Sequence, residues 1–154
     1  MKKTLVILGL ISLFVFTLMR SGSENVPINT NNSSQPKQVI ENYFKFCNGK
    51  NRQGLLSTLT RWHDQSNVDF GFDNLLFIKL LSIGNNDMTT VNAYLGCGRG
   101  LVNGVKPNNV MAYKVTYVSL YSKGPWLSGI QTEKFTLIRE NDNAPWLIDD
   151  IGQG

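Results

Sequence analysis

The sequence predicts an α+β domain in which amphipathic helices come first and a run of antiparallel strands follows, one face of the sheet packing on the helices. Two patterns carry this expectation. Apolar residues recur at helical spacing from Val39 to Cys47 and again beyond Asn51, whereas from Leu75 onward β-branched and aromatic residues dominate and turn-forming residues interrupt them. A third observation sets where the domain is expected to work. Lys2 and Lys3 precede an uncharged apolar run from Thr4 to Met19 that stops at Arg20. The run falls short of the roughly 20 apolar residues of a full span and matches a secretory h-region with a small-residue exit at Ser21, Gly22 and Ser23.

Residues 1–22 therefore read as a signal peptide or N-terminal anchor, 23–35 as a flexible polar linker, and 36–154 as a single domain. The linker is rich in Ser and Asn, and its aliphatic residues Val26 and Ile28 bury too little surface to offset chain entropy. In the domain, Ser34 and Pro36 supply helix start signals, and Val39, Ile40, Tyr43, Phe44 and Cys47 line one face until Gly49. Asn51 can cap a second helix along which Leu55, Leu56, Leu59, Trp62 and His63 share a side.

A first strand is expected from Leu75 to Ile83, ended by Asn85, Asn86 and Asp87. The stretch holding Gly96, Gly98, Gly100 and Gly104 is irregular, with Val91 and Tyr94 read as the start of another strand. From Val110 to Tyr121 the alternation is clear. Met111, Tyr113, Val115, Tyr117 and Tyr121 share one face, and Val110, Ala112, Lys114, Thr116 and Val118 the other. Gly124 and Pro125 make a turn into a strand from Ile130 to Arg139, which Glu140 to Ala144 joins to a last strand from Trp146 to Ile151.

Charge excludes one class of partner. The net charge is +4, but without Lys2, Lys3 and Arg20 the fifteen basic residues become twelve against the same eleven acidic ones, leaving +1. A domain so nearly neutral, with no Lys/Arg cluster, lacks the footprint for nucleic acid. Membrane contact is expected only through the N-terminal segment. The expected partner is a small ligand or an envelope protein, with a homodimer through the open sheet face as a further option.

The ending Phe135-Thr136-Leu137-Ile138-Arg139-Glu140-Asn141, then Pro145-Trp146-Leu147-Ile148-Asp149-Asp150-Ile151-Gly152, resembles the last two strands of the nuclear-transport-factor-2-like, cystatin-like cone. Val39-Ile40-Glu41-Asn42-Tyr43-Phe44, Leu55-Leu56-Ser57-Thr58-Leu59-Thr60, Trp62-His63 and Gly124-Pro125-Trp126 resemble a small family of bacterial surface lipoproteins, domain of unknown function 4829, from about Pro36 to Gly152. The resemblance implies N-terminal helices packed in a curved antiparallel sheet, an extracytoplasmic location, and no defined activity. It also implies a lipoprotein signal. Leu18-Met19-Arg20-Ser21 has the layout of one, but Ser21 stands where the lipidated cysteine belongs and a serine cannot carry the thioether. Ordinary cleavage or an uncleaved anchor is then expected.

No cofactor motif is present and none is expected; C-x-x-C, H-E-x-x-H and His clusters are absent, so no metal is expected either. Cys47 and Cys97 form the one possible disulfide. His63, the only histidine, is the candidate acid–base group, with Asp64, Asp149 or Asp150 beside it, although a cap or hydrogen-bonded core role is the weightier reading. Asp149 and Asp150, adjacent on a strand, should project to opposite faces; the inward one reads either as a buried general base with a raised pKa or, the weightier reading, as the partner of Lys114, Lys134 or Arg139. Tyr113, Tyr117 and Trp126 are candidate ligand-lining residues, for which ordinary core packing is the competing role; Trp146 carries the same ambiguity. Arg99 offers an anion contact in its glycine-rich loop or is simply solvated. A non-catalytic binding module is the leading expectation. The alternatives are a small isomerase, dehydratase or hydrolase using His63 and an Asp, and a structural or dimerisation module.

Overall fold

The computed structural model describes residues 35–152. The proposed signal segment and nearly all of the linker lie outside these residues. Among the described residues, no helix is long and apolar enough to cross a membrane.

Helix α1 runs Pro36–Asn48, opened by Pro36 at a position where a missing N–H costs nothing. Its apolar stripe buries Val39, Ile40, Phe44 and Cys47, as the spacing predicts. Helix α2, Arg52–Leu56, is capped by Asn51, whose side chain accepts from the Gly54 amide at 2.8 Å. It is far shorter than expected. Ser57 and Thr58 hydroxyls turn back onto the Gly54 and Leu55 carbonyls at 2.6 Å, competing with the helical ladder. The chain then extends along the last strand, with a parallel bridge between Leu59 and Ile148 and backbone bonds Ile148 N to Thr58 O and Thr60 N to Ile148 O. A 3₁₀ turn at Arg61–His63 follows, so Trp62 and His63 do not continue the α2 face.

Four strands form an antiparallel sheet in the order β1-β2-β3-β4: β1 is Leu75–Asn86, β2 Val110–Tyr121, β3 Gly129–Ile138 and β4 Leu147–Gly152. The fold is α+β with an open sheet. Between β1 and β2 lies helix α3, Met88–Cys97, where the sequence suggested another strand. Thr89, Thr90 and Val91 gave that stretch a β-like composition. The deciding residue is Asp87, whose carboxylate accepts from the Thr89 and Thr90 amides and the Thr90 hydroxyl, and so fixes a helix start. A short helix α4, Gly100–Asn103, completes the crossover.

Helix α3 gives the sheet helical cover on both faces rather than one. The larger core packs α1 and α2 against Leu75, Ile78, Tyr113, Val115, Phe135, Leu137 and Ile148. A smaller one packs Val91 and Tyr94 of α3 on Val110 and Ala112, the opposite face of β2. Each fully buried aliphatic side chain contributes about 1.5–3 kcal/mol of burial free energy. Cys47 and Cys97 are both free: Cys47 is buried in the α1 core, whereas Cys97 is exposed at the end of α3. The possible disulfide is thereby corrected, because α3 carries Cys97 over the other side of the sheet.

Candidate functional site

A cavity of about 330 Å³ lies between α1, the loop before β1, the β2–β3 turn and the inner face of the sheet. Tyr43, Phe44, Phe70, Tyr117, Tyr121 and Trp126 supply aromatic walls, and Asp69, Gln131 and Glu133 supply polar groups. The indole of Trp126 stacks on Tyr121 with ring centroids 5.9 Å apart. Gly71 makes room for it: φ is +71° there, and a Cβ would stand 2.8 Å from the indole. Inside, Tyr117 donates to Glu133 Oε2 at 2.9 Å. Burial raises the pKa values of Tyr43 and Tyr117 and pushes the Cys47 thiol up to about 12, so these groups stay neutral.

A second constellation sits at the β4 edge, around Asp149, which is 2% exposed. The β3–β4 ladder is interrupted between Thr136 and Leu137, where Asp150 and Ile148 pair and Asp149 has no partner. At this bulge the carboxylate gathers four donors. Thr60 Oγ1 bonds Oδ1 at 2.8 Å, while Tyr94 OH at 2.6 Å, Arg99 Nε at 3.0 Å and Asn103 Nδ2 at 3.4 Å all reach Oδ2. The Asp149 carbonyl accepts from Trp62 Nε1 at 2.7 Å and from His63 Nε2 at 3.0 Å, which places the histidine proton on Nε2. The Arg99 guanidinium lies 3.9 Å above the Trp62 ring. The arrangement ties the 3₁₀ turn, α3, α4 and β4 to one residue.

Neither constellation is a recognisable catalytic or metal-binding set, and among the described residues no cluster of His, Cys, Asp and Glu could hold a metal ion. The family model for Domain of unknown function (DUF4829) matches residues 37–152. The chain belongs to this family. No curated protein and no solved structure matches it at a significant level.

Within this DUF4829 domain the sequence-derived candidates separate. Tyr117 and Trp126 line the cavity; Tyr113 does not, being 6% exposed within the core with its hydroxyl on Met111 Sδ. His63 and Asp149 meet, but through a backbone carbonyl, and His63 lines neither the cavity nor the shallower depression under α3. Asp64 is exposed beside them. Asp150 lines the depression together with Tyr94 and Thr136, while Asp149 is held by Tyr94 itself, so the two carboxylates do not take opposite faces. The bulge breaks the alternation on which that expectation rested. The partner of Asp149 is Arg99, not Lys114, Lys134 or Arg139. Lys134 pairs with Asp87, and Arg139 binds Asp142 and Asn109. Sequence reasoning missed Thr60, Tyr94 and Asn103. For Tyr94 a signal existed: Val91, Tyr94 and Leu95 at helical spacing behind Asp87.

Two pKa shifts in the DUF4829 domain give its stability a defined pH dependence. Burial alone would raise the Asp149 pKa, but hydrogen bonds from Arg99, Tyr94 and Thr60 outweigh it and hold the carboxyl below its ordinary value. Burial lowers the pKa of His63. Both shifts are downward, so the unfolded chain binds more protons wherever these groups titrate, and stability falls with falling pH. The His63 contribution is complete above about pH 6.5 and is lost as the pH drops through its lowered folded value; the Asp149 contribution is complete above about 3.9 and is lost below that. Urea midpoints should therefore decline from pH 7 towards 5 and decline further below 4. A His63→Gln variant should flatten the upper limb, and a wild-type midpoint that rises between pH 7 and 5 would contradict the assignment.

Proposed function

We propose that this chain is an exported, non-catalytic domain that binds a small ligand in the cavity between α1 and the sheet, within a cystatin-like cone of the nuclear-transport-factor-2-like kind. The observation that carries the reading is the cavity itself: about 330 Å³, walled by aromatic rings and containing a few convergent polar groups. Its position on the α1 side of the sheet fits a cone opening past Trp126. Export rests on Lys2, Lys3 and the apolar run to Met19, and residues 23–35 then serve as the tether from the cell surface. Because Ser21 replaces the lipid-acceptor cysteine of a lipoprotein signal, attachment is by an uncleaved anchor or is lost on cleavage. An enzyme built on His63 is disfavoured, since its ring nitrogen is engaged by a main-chain carbonyl away from the cavity.

A second reading, association of two copies, is favoured by one observation. On the face that α3 leaves open, Phe77 pairs with Leu120 and Val118 with Ile130, and Phe77, Leu120 and Ile130 are exposed. One experiment addresses both readings. Native mass spectrometry of the full chain from the envelope and culture fractions of expressing cells should show an extracytoplasmic protein retaining a small molecule. A protein that stays in the cytoplasm overturns export, and a ligand-free monomer that no small-molecule panel stabilises overturns binding and pairing together.

A further inference from the structure

The cavity is one-sided in charge. The lining residues with formal charge are Asp69 and Glu133, and no Lys, Arg or His lines it. Glu133 projects half-buried from β3 and its Oε2 accepts from Tyr117; among the described residues Oε1 takes no hydrogen bond. Asp69 is exposed and binds the Gly71 amide at 2.7 Å through Oδ1. Two cations that neighbour lining residues, Arg52 and Lys134, are engaged elsewhere. Arg52 donates to the Val68 and Gln65 carbonyls and covers the Phe70 ring, whereas Lys134 follows Glu133 onto the opposite sheet face and meets Asp87. Cys47, Tyr43 and Tyr117 could ionise only to anions and are held neutral by burial, so with no Lys, Arg or His in the lining the wall offers the carboxylates no counter-charge.

We infer that the ligand of this cavity is an organic amine in its ammonium form, carrying an apolar or aromatic body. The inference rests on the proposed binding function and specifies its chemistry. The ammonium meets Glu133 Oε1, with Asp69 attracting it on entry, and the body lies among Phe44, Tyr121 and Trp126. Aromatic faces favour a cation over a neutral or anionic head of the same shape, and an ammonium–carboxylate hydrogen bond adds to that preference. A carboxylate ligand would instead face like charges in a partly dry site.

Three matched probes separate the possibilities: 4-phenylbutylammonium, 4-phenylbutanol and 4-phenylbutyrate, titrated into the full chain while the Trp126 indole and Glu133 amide resonances are followed. The ammonium should bind at least about tenfold tighter than the alcohol, the gain expected of one charge-assisted hydrogen bond, and the carboxylate should bind weakest. Glu133→Gln, which keeps an acceptor for Tyr117, should erase the preference of the ammonium over the alcohol. Equal binding of all three, or a preference that survives Glu133→Gln, overturns the amine assignment while leaving a ligand cavity. Binding of none, or binding that leaves the Trp126 and Glu133 resonances unmoved, overturns both.

Discussion

Replacing Asp149 by alanine should destabilise the domain by about 3–5 kcal/mol, the range for breaking a buried, hydrogen-bonded ion pair from one side. Against a total stability of about 5–15 kcal/mol for a domain, that is enough to leave it marginal. The magnitude follows from what is stranded. Thr60 Oγ1, Tyr94 OH and Arg99 Nε all lose their acceptor, and the Tyr94 hydroxyl sits in a side chain only 4% exposed. Each unsatisfied buried donor costs about 1–3 kcal/mol. Arg99 is different because its side chain is 35% exposed and water can replace the carboxylate. Arg99→Ala should cost less, about 1–3 kcal/mol, because the buried carboxylate it leaves keeps its hydrogen bonds from Thr60 and Tyr94. Urea denaturation of both variants at pH 7 makes the comparison, and an Asp149→Ala loss no larger than that of Arg99→Ala would show that the carboxylate is not the hub of this edge.

That hub was half legible in the sequence. The α1 stripe, the β2 alternation and the β3–β4 hairpin follow from residue patterns that local burial preserves, and the structure reproduces them. The aromatic cavity is partly legible too, since Tyr117 and Trp126 stand out in the sequence as candidate lining residues and both border it. Tyr113 shows the limit of such patterns: it shares a strand face with Tyr117, yet lies where that face is covered by the core rather than open. The Asp149 network was hidden for a different reason. It joins Thr60, Tyr94, Arg99 and Asn103 across sequence separations as long as 89 residues, and it depends on a bulge that a two-residue period cannot announce. Glu133 went unnoticed because a single acid on an alternating strand looks like any solvated position until its neighbours close over it.

The glycines around Arg99 supply the second large effect, and they link the irregular stretch of sequence to the same network. A Cβ on Gly100 would stand 2.8 Å from the Tyr94 carbonyl oxygen and 2.9 Å from the Leu95 Cα, and one on Gly98 would stand 2.9 Å from the Tyr94 Cα and carbonyl oxygen. These neighbours are backbone and cannot rotate away, so Gly100→Ala must push α4 off the end of α3, at about 1–3 kcal/mol for an overpacked site. Gly96 has nothing within 4 Å of its added Cβ and lies in α3, so Gly96→Ala should be neutral or stabilising by up to about 1 kcal/mol. Moving α4 also carries Arg99 and Asn103 away from the carboxylate, which makes the two perturbations interdependent. In a double-mutant cycle, Gly100→Ala combined with Asp149→Ala should fall short of the sum of the single losses by about 0.5–3 kcal/mol, the coupling of residues in one network. Strict additivity would mean that the glycines serve helix packing alone; coupling would show that the close approach of α4 to α3 exists to deliver a guanidinium to the buried acid.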